Sequence, residues 1–216
     1  MKLIESYGPN PRVVRMFLEE KGIEIEREEI DLMNGESHKP PYKEKNPTET
    51  SPCLELDDGT FVGETVAICE LLEELHPAPA LIGSDPFERA KTRMWTRRVE
   101  LYITEHMYNA FRYGPGIDHF RERFYCIPEA AAGLKEKARR QRVWLDALIE
   151  GQDFIAGDSI TLADIILFCC WDFVKDIEQP IDTELKNLYP WYKRMCERPS
   201  AAASIHPLSK ELGWVG

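Results

Sequence analysis

Residues 51–65 read SPCLELDDGTFVGET, and this stretch decides how the first part of the chain folds. Two short apolar runs, at 53–56 and 60–62, flank the tripeptide Asp-Asp-Gly at 57–59. An Asp-Gly turn between two such runs predicts a β-hairpin. Pro52 lies just ahead of the first run. Because proline has no N–H to give to a strand ladder, we expect the backbone to bend there.

Strands and helices alternate on both sides of this hairpin. The apolar spacing predicts a strand over 2–6, a helix over 11–21 and a second strand over 23–31. A strand, a helix and a strand joined so closely form a parallel pair with a right-handed connection. After the hairpin, residues 64–76 have apolar side chains at helical spacing and stop at Pro77. This order predicts a small α/β domain with the element sequence βαβ-ββα.

The pattern changes after a proline-rich linker. Beyond it only helical periodicity is present, which predicts an all-helical domain. We therefore expect an α/β domain over residues 1–77, a linker over 78–86 and an all-α helical bundle over 87–216. Within the second domain, Thr161 and Asp164 stand three apart ahead of an apolar segment, which is typical of a helix capping box.

The charge of the chain excludes one class of partner. The 216 residues have a formal net charge of -11, and residues 1–83 hold 18 acidic against 8 basic side chains. Nucleic-acid binding needs a basic face, so we expect no nucleic acid as partner. The longest apolar run, at 165–171, is too short to cross a bilayer, and Glu5 and Gly8 interrupt any signal-peptide core. We expect a cytoplasmic protein that has no membrane segment.

The six cysteines indicate neither a metal site nor a disulfide framework. They form no CxxC pair and no spacing suited to zinc, and Cys169 and Cys170 are adjacent in an apolar segment. Reduced cysteines used as small core residues explain this pattern better than disulfides do. We therefore expect no metal cofactor.

Ser51-Pro52 and the start of the following helix point to a ligand. If the peptide bond before Pro52 is cis, the N–H and C=O of Ser51 are able to pair with an extended peptide. The helix that starts at Glu64 leaves its first N–H groups without helical partners, and these groups and the Thr65 hydroxyl can hold a carboxylate. Glu64 can hold an ammonium group. The alternatives are a proline that merely starts a strand and an ordinary acidic helix start.

A third feature lies between the first strand and the first helix, at residues 8–12. The free N–H groups at a helix start favour an anion, here a thiolate. This feature belongs to a series of short motifs: PNPRVVR at 9–15, EEKG at 19–22, NP at 46–47, SP at 51–52, LDDG at 56–59, ETVAI at 64–68 and TLAD at 161–164. In this order they resemble the cytosolic glutathione transferase family, which joins a thioredoxin-like N-terminal domain to an all-helical C-terminal domain. The Pro-Asn pair at 9–10 is similar to that of nu-class-like members.

The resemblance implies that glutathione is the co-substrate and lies along the thioredoxin-like domain. It implies that backbone groups of Ser51, next to a cis Pro52, pair with the cysteine of glutathione. Glu64 and Thr65 would hold the γ-glutamyl end. The glycine carboxylate usually meets basic or polar side chains of the preceding loop, and Lys39 has the alternative of a solvated loop residue. The candidates for this contact are His38, Lys39 and Thr50.

The group that activates the thiol departs from each standard pattern of the family. Members use Ser, Tyr or Cys at the junction of the first strand and the first helix, but Gly8 and Pro11 occupy the usual serine and cysteine positions. We rank three hydrogen-bond donors as candidate catalytic residues, with Asn10 first, then Tyr7, then Ser6. For Tyr7 and Ser6, packing in the strand is an equally good interpretation.

The second domain supplies the pocket for the electrophile in this family. Tyr108, Phe111 and Arg112 share one face of a predicted helix, and we expect the pocket to include them. The alternative is that the aromatic side chains are core residues. Arginines recur every four residues from 89 to 97, which by itself is typical of a solvated face. Because the family places this helix at a twofold interface, we expect a homodimer.

Three functions follow from these expectations. The favoured one is an enzyme that activates glutathione as a thiolate and conjugates it to a small hydrophobic electrophile, which is a detoxification reaction. The second keeps the fold but changes the reaction to glutathione-dependent reduction of a disulfide or a peroxide. The third is a non-catalytic glutathione-binding scaffold, which the missing hydroxyl at Gly8 leaves open.

Overall fold

The computed structural model describes residues 1–211, which form two compact units. The first unit comprises residues 1–81 together with the segment that begins at Pro199. The second unit comprises residues 82–198. Each unit is built around its own hydrophobic core, and each is described by itself below.

The first unit contains a four-stranded sheet with the order β2-β1-β3-β4. Strand β1 pairs with β2 in parallel and with β3 antiparallel, and β3 pairs antiparallel with β4. The parallel pair and the antiparallel hairpin confirm the predicted βαβ-ββα order of a thioredoxin-like domain. The strands are β1 at Lys2–Glu5, β2 at Glu26–Glu29, β3 at Cys53–Glu55 and β4 at Phe61–Val62.

Helices α1 and α3 pack against each other beside this sheet. Their fully buried side chains include Phe17 of α1 and Leu72 of α3, which join Leu3 and Leu54 of the sheet in the core. Burying an aliphatic or aromatic side chain of this size contributes about 1.5–3 kcal/mol, so each of these side chains stabilises the unit substantially. The helices of this part are α1 at Pro9–Lys21, α2 at Tyr42–Lys45 and α3 at Thr65–Leu75, with a 3-10 turn at Glu36–His38.

The hairpin between β3 and β4 is closed by a turn at Leu56–Thr60. The Gly59 N–H donates to the Leu56 oxygen at 3.0 Å, and the Leu56 N–H donates to the Thr60 oxygen at 2.8 Å. Gly59 has a φ of 82°, a conformation that glycine adopts without steric cost. The Asp-Gly signal therefore predicted the turn correctly and for the expected reason.

Helices joined by loops are the regular secondary structure of the second unit in its described residues, apart from one isolated bridge between Phe154 and Gly157. Its first long helix is interrupted by a five-residue π-helical segment at Glu100–Thr104. None of the helices at residues 1–211 is long and apolar enough to span a membrane. The remaining helices are α4 at Pro86–Val99, α5 at Glu105–Tyr113, α6 at Ile117–Phe120, α7 at Ala131–Leu148, α8 at Leu162–Val174 and α9 at Leu188–Cys196, with a 3-10 turn at Pro128–Ala130.

Helix α8 is the centre of the second unit, because every one of its residues is buried. It begins with the predicted capping box, in which the Thr161 N–H and hydroxyl both donate to Asp164 Oδ2 at 2.9 Å. Asp164 Oδ1 accepts further hydrogen bonds from the Ile155 N–H and from Trp191 Nε1, both at 2.8 Å. The capping box is confirmed, and its carboxylate also ties the preceding loop and α9 to the start of α8.

The chain returns to the first unit at its end. Helices α10 at Pro199–Ala203 and α11 at Pro207–Glu211 belong by their contacts to the unit that contains α1. The sequence-based boundaries place these residues in the helical domain, because their periodicity is helical. The structural reason for the difference is a set of hydrogen bonds from two α1 arginines, Arg12 and Arg15, to this segment.

Candidate functional site

The start of α1 leaves one backbone N–H group free, whereas a helix start usually leaves several. Pro9 and Pro11 have no N–H, and the Arg12 N–H donates to the Gly8 oxygen at 3.2 Å. The first turn is thus left with the N–H of Asn10, for which residues 1–211 show no acceptor. The side-chain amide of Asn10 likewise makes no hydrogen bond within the described chain. The free donors at this helix end are therefore the backbone N–H and the side-chain amide of Asn10.

Gly8 shapes the turn that leads into this helix. Its φ of 114° and ψ of 169° lie in a region that is open essentially to glycine alone. No atom lies within 4 Å of the position that a Cβ would take, so the conformation and not the available space selects glycine. The helix starts at Pro9, two residues earlier than predicted, because the fixed φ of proline suits the first helical position.

Ser6 and Tyr7, the other two candidate donors, lie just before this turn. Ser6 is only 1% exposed, and its buried hydroxyl has no hydrogen-bond partner among residues 1–211. Its backbone oxygen accepts a hydrogen bond from Arg15 Nη1 at 3.1 Å. Tyr7 is half-buried. Of the three candidates, only Asn10 stands at the helix start itself.

Ser51 and Pro52 form a short unpaired stretch of backbone ahead of β3. The peptide bond between them is cis. In the described chain no hydrogen bond reaches the N–H or the C=O of Ser51, and the Ser51 hydroxyl is buried without a partner. A free N–H and a free C=O on one residue are the groups with which an extended peptide pairs.

The residue before Ser51 is held firmly in place. The Thr50 carbonyl oxygen accepts hydrogen bonds from the Tyr42 hydroxyl and from Asn46 Nδ2, the latter at 2.8 Å. Burial raises the pKa of Tyr42 to about 12, so its hydroxyl stays a donor at neutral pH. Tyr42 and Asn46 were not among the predicted site residues. The Asn-Pro motif at 46–47 indicated one of them, because a loop asparagine side chain can bond to the backbone of residues that follow it closely.

The start of α3 offers a second group of unpaired donors. The N–H groups of Thr65, Val66 and Ala67 have no acceptor within residues 1–211, and the first helical bond runs from Ile68 to the Glu64 oxygen at 3.0 Å. Glu64 is exposed and has a φ of 65°, which is uncommon for a residue with a side chain. Such conformations cluster at ligand sites. The free N–H groups at this helix end can therefore bind an anion, and the Glu64 carboxylate can bind a cation.

His38, Lys39 and Thr50 occupy the loop before Ser51, but their side chains have different surroundings. His38 Nδ1 contacts the carboxylate of Glu49, which also pairs with Lys43, while His38 Nε2 is buried without a partner in the described chain. The Lys39 ammonium donates to the Asn34 oxygen at 3.3 Å and is exposed. The pKa of Glu49 is lowered by hydrogen bonds from Lys43 and His38.

Tyr108, Phe111 and Arg112 belong to α5 in the second unit. Phe111 is 6% exposed and packs edge-on against Phe173, with the ring centroids 5.1 Å apart. Burial raises the pKa of the Tyr108 phenol. The Arg112 guanidinium lies over the rings of Tyr108 and Phe124, at 5.6 and 5.8 Å from their centroids. Phe111 therefore serves the core of its unit, whereas Tyr108 and Arg112 are both partly buried.

Comparison with known proteins identifies the family along most of the chain. Family models described as the N-terminal and the C-terminal domain of glutathione S-transferase match residues 3–80 and 107–199. Glutathione S-transferase 2 of Saccharomyces cerevisiae is 33% identical over 206 residues, which are 94% of this chain and 88% of that protein. The chain belongs to the glutathione S-transferase family.

Solved structures place this glutathione S-transferase in the same fold. The crystal structure of Gtt2 from Saccharomyces cerevisiae aligns with a TM-score of 0.85 and 31% identity, and the alignment covers 95% of this chain and all of that chain. A class Gtt2 glutathione S-transferase of Vibrio parahaemolyticus aligns with a TM-score of 0.80 and 30% identity over 94% of this chain and 97% of that chain. The predictions of the family, of the two-domain fold and of a glutathione transferase enzyme are confirmed. The non-catalytic scaffold is set aside.

Proposed function

We propose that this glutathione transferase binds glutathione along the edge at Ser51 and at the start of α3, and conjugates its sulfur to a small hydrophobic electrophile. The observation that carries the proposal is the set of unpaired donors and acceptors on one unit, at Ser51, Thr65 and Asn10. The Ser51 hydroxyl is buried without a partner in the described chain, which costs about 1–3 kcal/mol, and a ligand that pairs with it removes that cost.

The two charged groups on the α-carbon of a γ-glutamyl residue match the start of α3. Its α-carboxylate is suited to the N–H groups that follow Glu64 and to the Thr65 hydroxyl, and its ammonium is suited to the Glu64 carboxylate. The cysteine of the tripeptide then pairs with the backbone of Ser51, as an added strand does. His38, whose Nε2 is unpartnered in the described chain, and to a lesser extent Lys39 and Thr50, are the proposed contacts of the glycine carboxylate.

Asn10 is the proposed donor to the sulfur. Lowering the pKa of a thiol from about 8.5 to about 6.5 needs about 2.7 kcal/mol in favour of the thiolate. A hydrogen bond to a charged sulfur contributes about 1.5–3 kcal/mol, and a helix start adds about 0.3–1 kcal/mol. The amide and the N–H of Asn10 together are sufficient. Burial ranks Ser6 below Asn10, and Tyr7 is the second choice.

The first test is the thiolate absorbance of bound glutathione as a function of pH. We expect Asn10→Ala to raise the thiol pKa by about one unit or more, because one charge-assisted hydrogen bond is lost. Asn10→Asp keeps the size of the side chain but brings a negative charge to the sulfur, and we expect a larger rise. Ser6→Ala tests the third candidate donor, and we expect it to leave the titration unchanged. A titration that both Asn10 variants leave unchanged would contradict a role for Asn10.

The same proteins decide between conjugation and reduction. One sample is assayed with chlorodinitrobenzene and with a glutathione-linked disulfide. We expect the aromatic electrophile to be consumed faster, since the proposed role of the site is to present a thiolate for attack on carbon. A protein that reduces the disulfide and leaves chlorodinitrobenzene intact would support the reductase alternative. Action in the cytoplasm, a role in detoxification and assembly as a homodimer belong to the same proposal.

A further inference from the structure

Two buried arginines stand three residues apart on α1, immediately after the proposed thiolate site. Arg12 is 7% exposed and Arg15 is 2% exposed. Side chains at this spacing share one face of a helix. A buried charge is tolerated in a folded protein only where it is paired and hydrogen-bonded. The partners of these guanidinium groups therefore indicate the role of each arginine.

Arg15 joins three separate parts of the first unit. Its Nη1 donates to the Glu5 carboxylate at 2.5 Å and to the Ser6 carbonyl oxygen at 3.1 Å, both at the end of β1. Its Nε donates to the Ser204 carbonyl oxygen at 2.7 Å, in the segment that returns from the end of the chain. One planar side chain thus links the strand end, the first helix and the returning segment.

The returning segment is itself fixed at this point. Ser204 has no exposed surface, and its hydroxyl donates to the Ala201 oxygen at 3.2 Å. Arg12 Nη2 donates to the same Ala201 oxygen at 3.0 Å. The Ser200 hydroxyl contacts the Glu20 carboxylate on the next turns of α1. The Ser204 carbonyl oxygen is therefore a rigid anchor for Arg15.

The turn that Arg15 grips is the one that carries Asn10. Ser6 is followed by Tyr7 and Gly8, and α1 then starts at Pro9. No side chain caps this helix start. The Gly8 oxygen is held by the Arg12 N–H, and the Ser6 oxygen, two residues earlier, is held by Arg15. The orientation of the Asn10 amide depends on the turn that these two bonds define.

We propose that Arg15 is a positioning residue for the thiolate site, and that Ser204 of the returning segment anchors it in that role. The proposal rests on the function proposed above, in which Asn10 donates to the sulfur. Arg15 does not touch glutathione in this account. It fixes the Ser6 carbonyl, and through the glycine turn it fixes the direction of the Asn10 donors.

The test compares variants that disturb the same packing but differ at the Ser6 oxygen. Arg15→Lys keeps the charge but cannot reach the Glu5 carboxylate, the Ser6 oxygen and the Ser204 oxygen together. The double variant Glu5→Gln with Arg15→Met removes the ion pair as a whole, so no single charge is left buried. Arg12→Lys is the matched control, because it removes guanidinium bonds to the Ser204 hydroxyl and the Ala201 oxygen but leaves in place the Arg15 bonds to the Ser204 and Ser6 carbonyl oxygens.

Two readouts are needed, one with glutathione and one without. We expect the pKa of the bound glutathione thiol to rise by about one unit in the double variant. Below the thiol pKa of the unsubstituted protein, this rise is a tenfold loss of thiolate. The rise should be smaller in Arg15→Lys and absent in Arg12→Lys. The glutathione dissociation constant, measured at a pH well below the pKa of the bound thiol, should change by less than about twofold, since the binding groups at Ser51 and Glu64 are untouched and no thiolate forms there. In the free protein, the NMR signal of the Asn10 side-chain amide should shift in both Arg15 variants and stay in place in Arg12→Lys.

The outcomes separate the two proposals. An unchanged Asn10 amide signal in folded Arg15 variants overturns the positioning role, whatever glutathione does. A shifted amide signal together with an unchanged thiol pKa supports the positioning of Asn10 and overturns its role as the donor to the sulfur. A wild-type protein that takes up no glutathione refutes the proposed function, and the amide signal still decides whether Arg15 orients the turn.

Discussion

Gly8 occupies a backbone conformation that a residue with a side chain adopts only at a cost. Its φ of 114° and ψ of 169° precede the helix start that carries Asn10. We expect Gly8→Ala to lower the free energy of unfolding by about 1–3 kcal/mol, because the strain is conformational and no neighbouring atom blocks a Cβ. Urea denaturation monitored by circular dichroism measures this loss.

A second glycine provides the control for this substitution. Gly133 lies within α7, has an ordinary backbone conformation, and has no atom within 4 Å of a Cβ position. Gly133→Ala should therefore raise the free energy of unfolding by about 0.5–1 kcal/mol. Equal effects of the two substitutions, in either direction, would contradict the argument from φ.

At the scale of elements, the start of α8 depends on one carboxylate. Asp164 accepts four hydrogen bonds, from the N–H and hydroxyl of Thr161, the N–H of Ile155 and Nε1 of Trp191. Asp164→Ala leaves buried donors without an acceptor, and we expect a loss of about 3 kcal/mol or more in the free energy of unfolding. Thr161→Ala removes one hydroxyl and should cost about 1 kcal/mol.

The control for these two variants is an exposed ion pair on the same unit. Asp153 is 66% exposed at its side chain and pairs with Arg194 at 3.0 Å. Asp153→Ala should change the free energy of unfolding by less than about 0.5 kcal/mol, because exposed pairs are screened by water. If the denaturation midpoints of Asp164→Ala and Asp153→Ala coincided, the role given to the capping box would be refuted.

The returning segment also makes stability depend on pH. Burial lowers the pKa of His206, the nearby charge of Arg15 lowers it further, and Glu29 and Glu5 act in the opposite direction. The unfolded chain then binds the proton more readily than the folded one near pH 6.5. Stability is full above this pH and falls as the pH drops below it. We expect the urea midpoint to decline between pH 7.5 and 5.5.

His206→Asn removes this group and should flatten that part of the profile. His76, which is exposed in the first unit, provides the matched substitution His76→Asn. The measurement is the urea midpoint at pH 7.5, 6.5 and 5.5 for the three proteins. A decline of the same steepness in His206→Asn and in the unsubstituted protein would assign the pH dependence to other groups.

The sequence was sufficient for elements whose signals are local. The Asp-Gly turn predicted the hairpin, and the spacing of Thr161 and Asp164 predicted the capping box, because both are decided within a few residues. The return of residues 199–211 to α1 depends on contacts between residues more than 180 positions apart in the sequence. Helical periodicity does not indicate which element a helix packs against. The signal that was available is the pair Arg12 and Arg15 on an otherwise apolar face of α1.

In the candidate site, too, the sequence predicted the features that have local signals and missed others. Ser51, Glu64 and Thr65 stand where their motifs predicted, at a strand entry and a helix start, and their roles in binding stay proposals. The early helix start at Pro9 was missed because Pro11 gave an equally good signal for a first helical position. The spacing argument for Tyr108, Phe111 and Arg112 is unaffected by the π-helical segment at Glu100–Thr104, because all three residues follow it in α5; the segment shifts the faces of α5 only relative to α4.

For the whole molecule, we propose that the exposed groove of the second unit is the surface where two copies meet. A groove of about 520 Å³ lies between the π-helical segment and α7 and is lined by Leu101, Tyr102 and Trp144 among others. Tyr102 is 45% exposed and Leu101 is 41% exposed. Contiguous exposed apolar side chains of this kind mark interaction surfaces.

Light scattering after gel filtration tests this assembly. At micromolar concentration we expect twice the chain mass of 25.0 kDa for the unsubstituted protein and the single chain mass for Tyr102→Lys, because a charge in an apolar interface is left without a partner. Tyr125, which is 89% exposed and lies outside the groove, gives the control Tyr125→Lys, which should keep the double mass. A single chain mass for the unsubstituted protein refutes the homodimer.

The return of the chain end to α1 also sets an order of events on the ribosome. Residues 82–198 are synthesised between the first unit and the segment that Arg12 and Arg15 contact. At about 5–20 residues per second, those 117 residues take roughly 6–23 seconds. During that interval the nascent thioredoxin-like part holds two arginines whose acceptors at Ala201 and Ser204 have not yet been made. The first unit is therefore completed only after the whole second unit has been synthesised, although its strands are made before that unit.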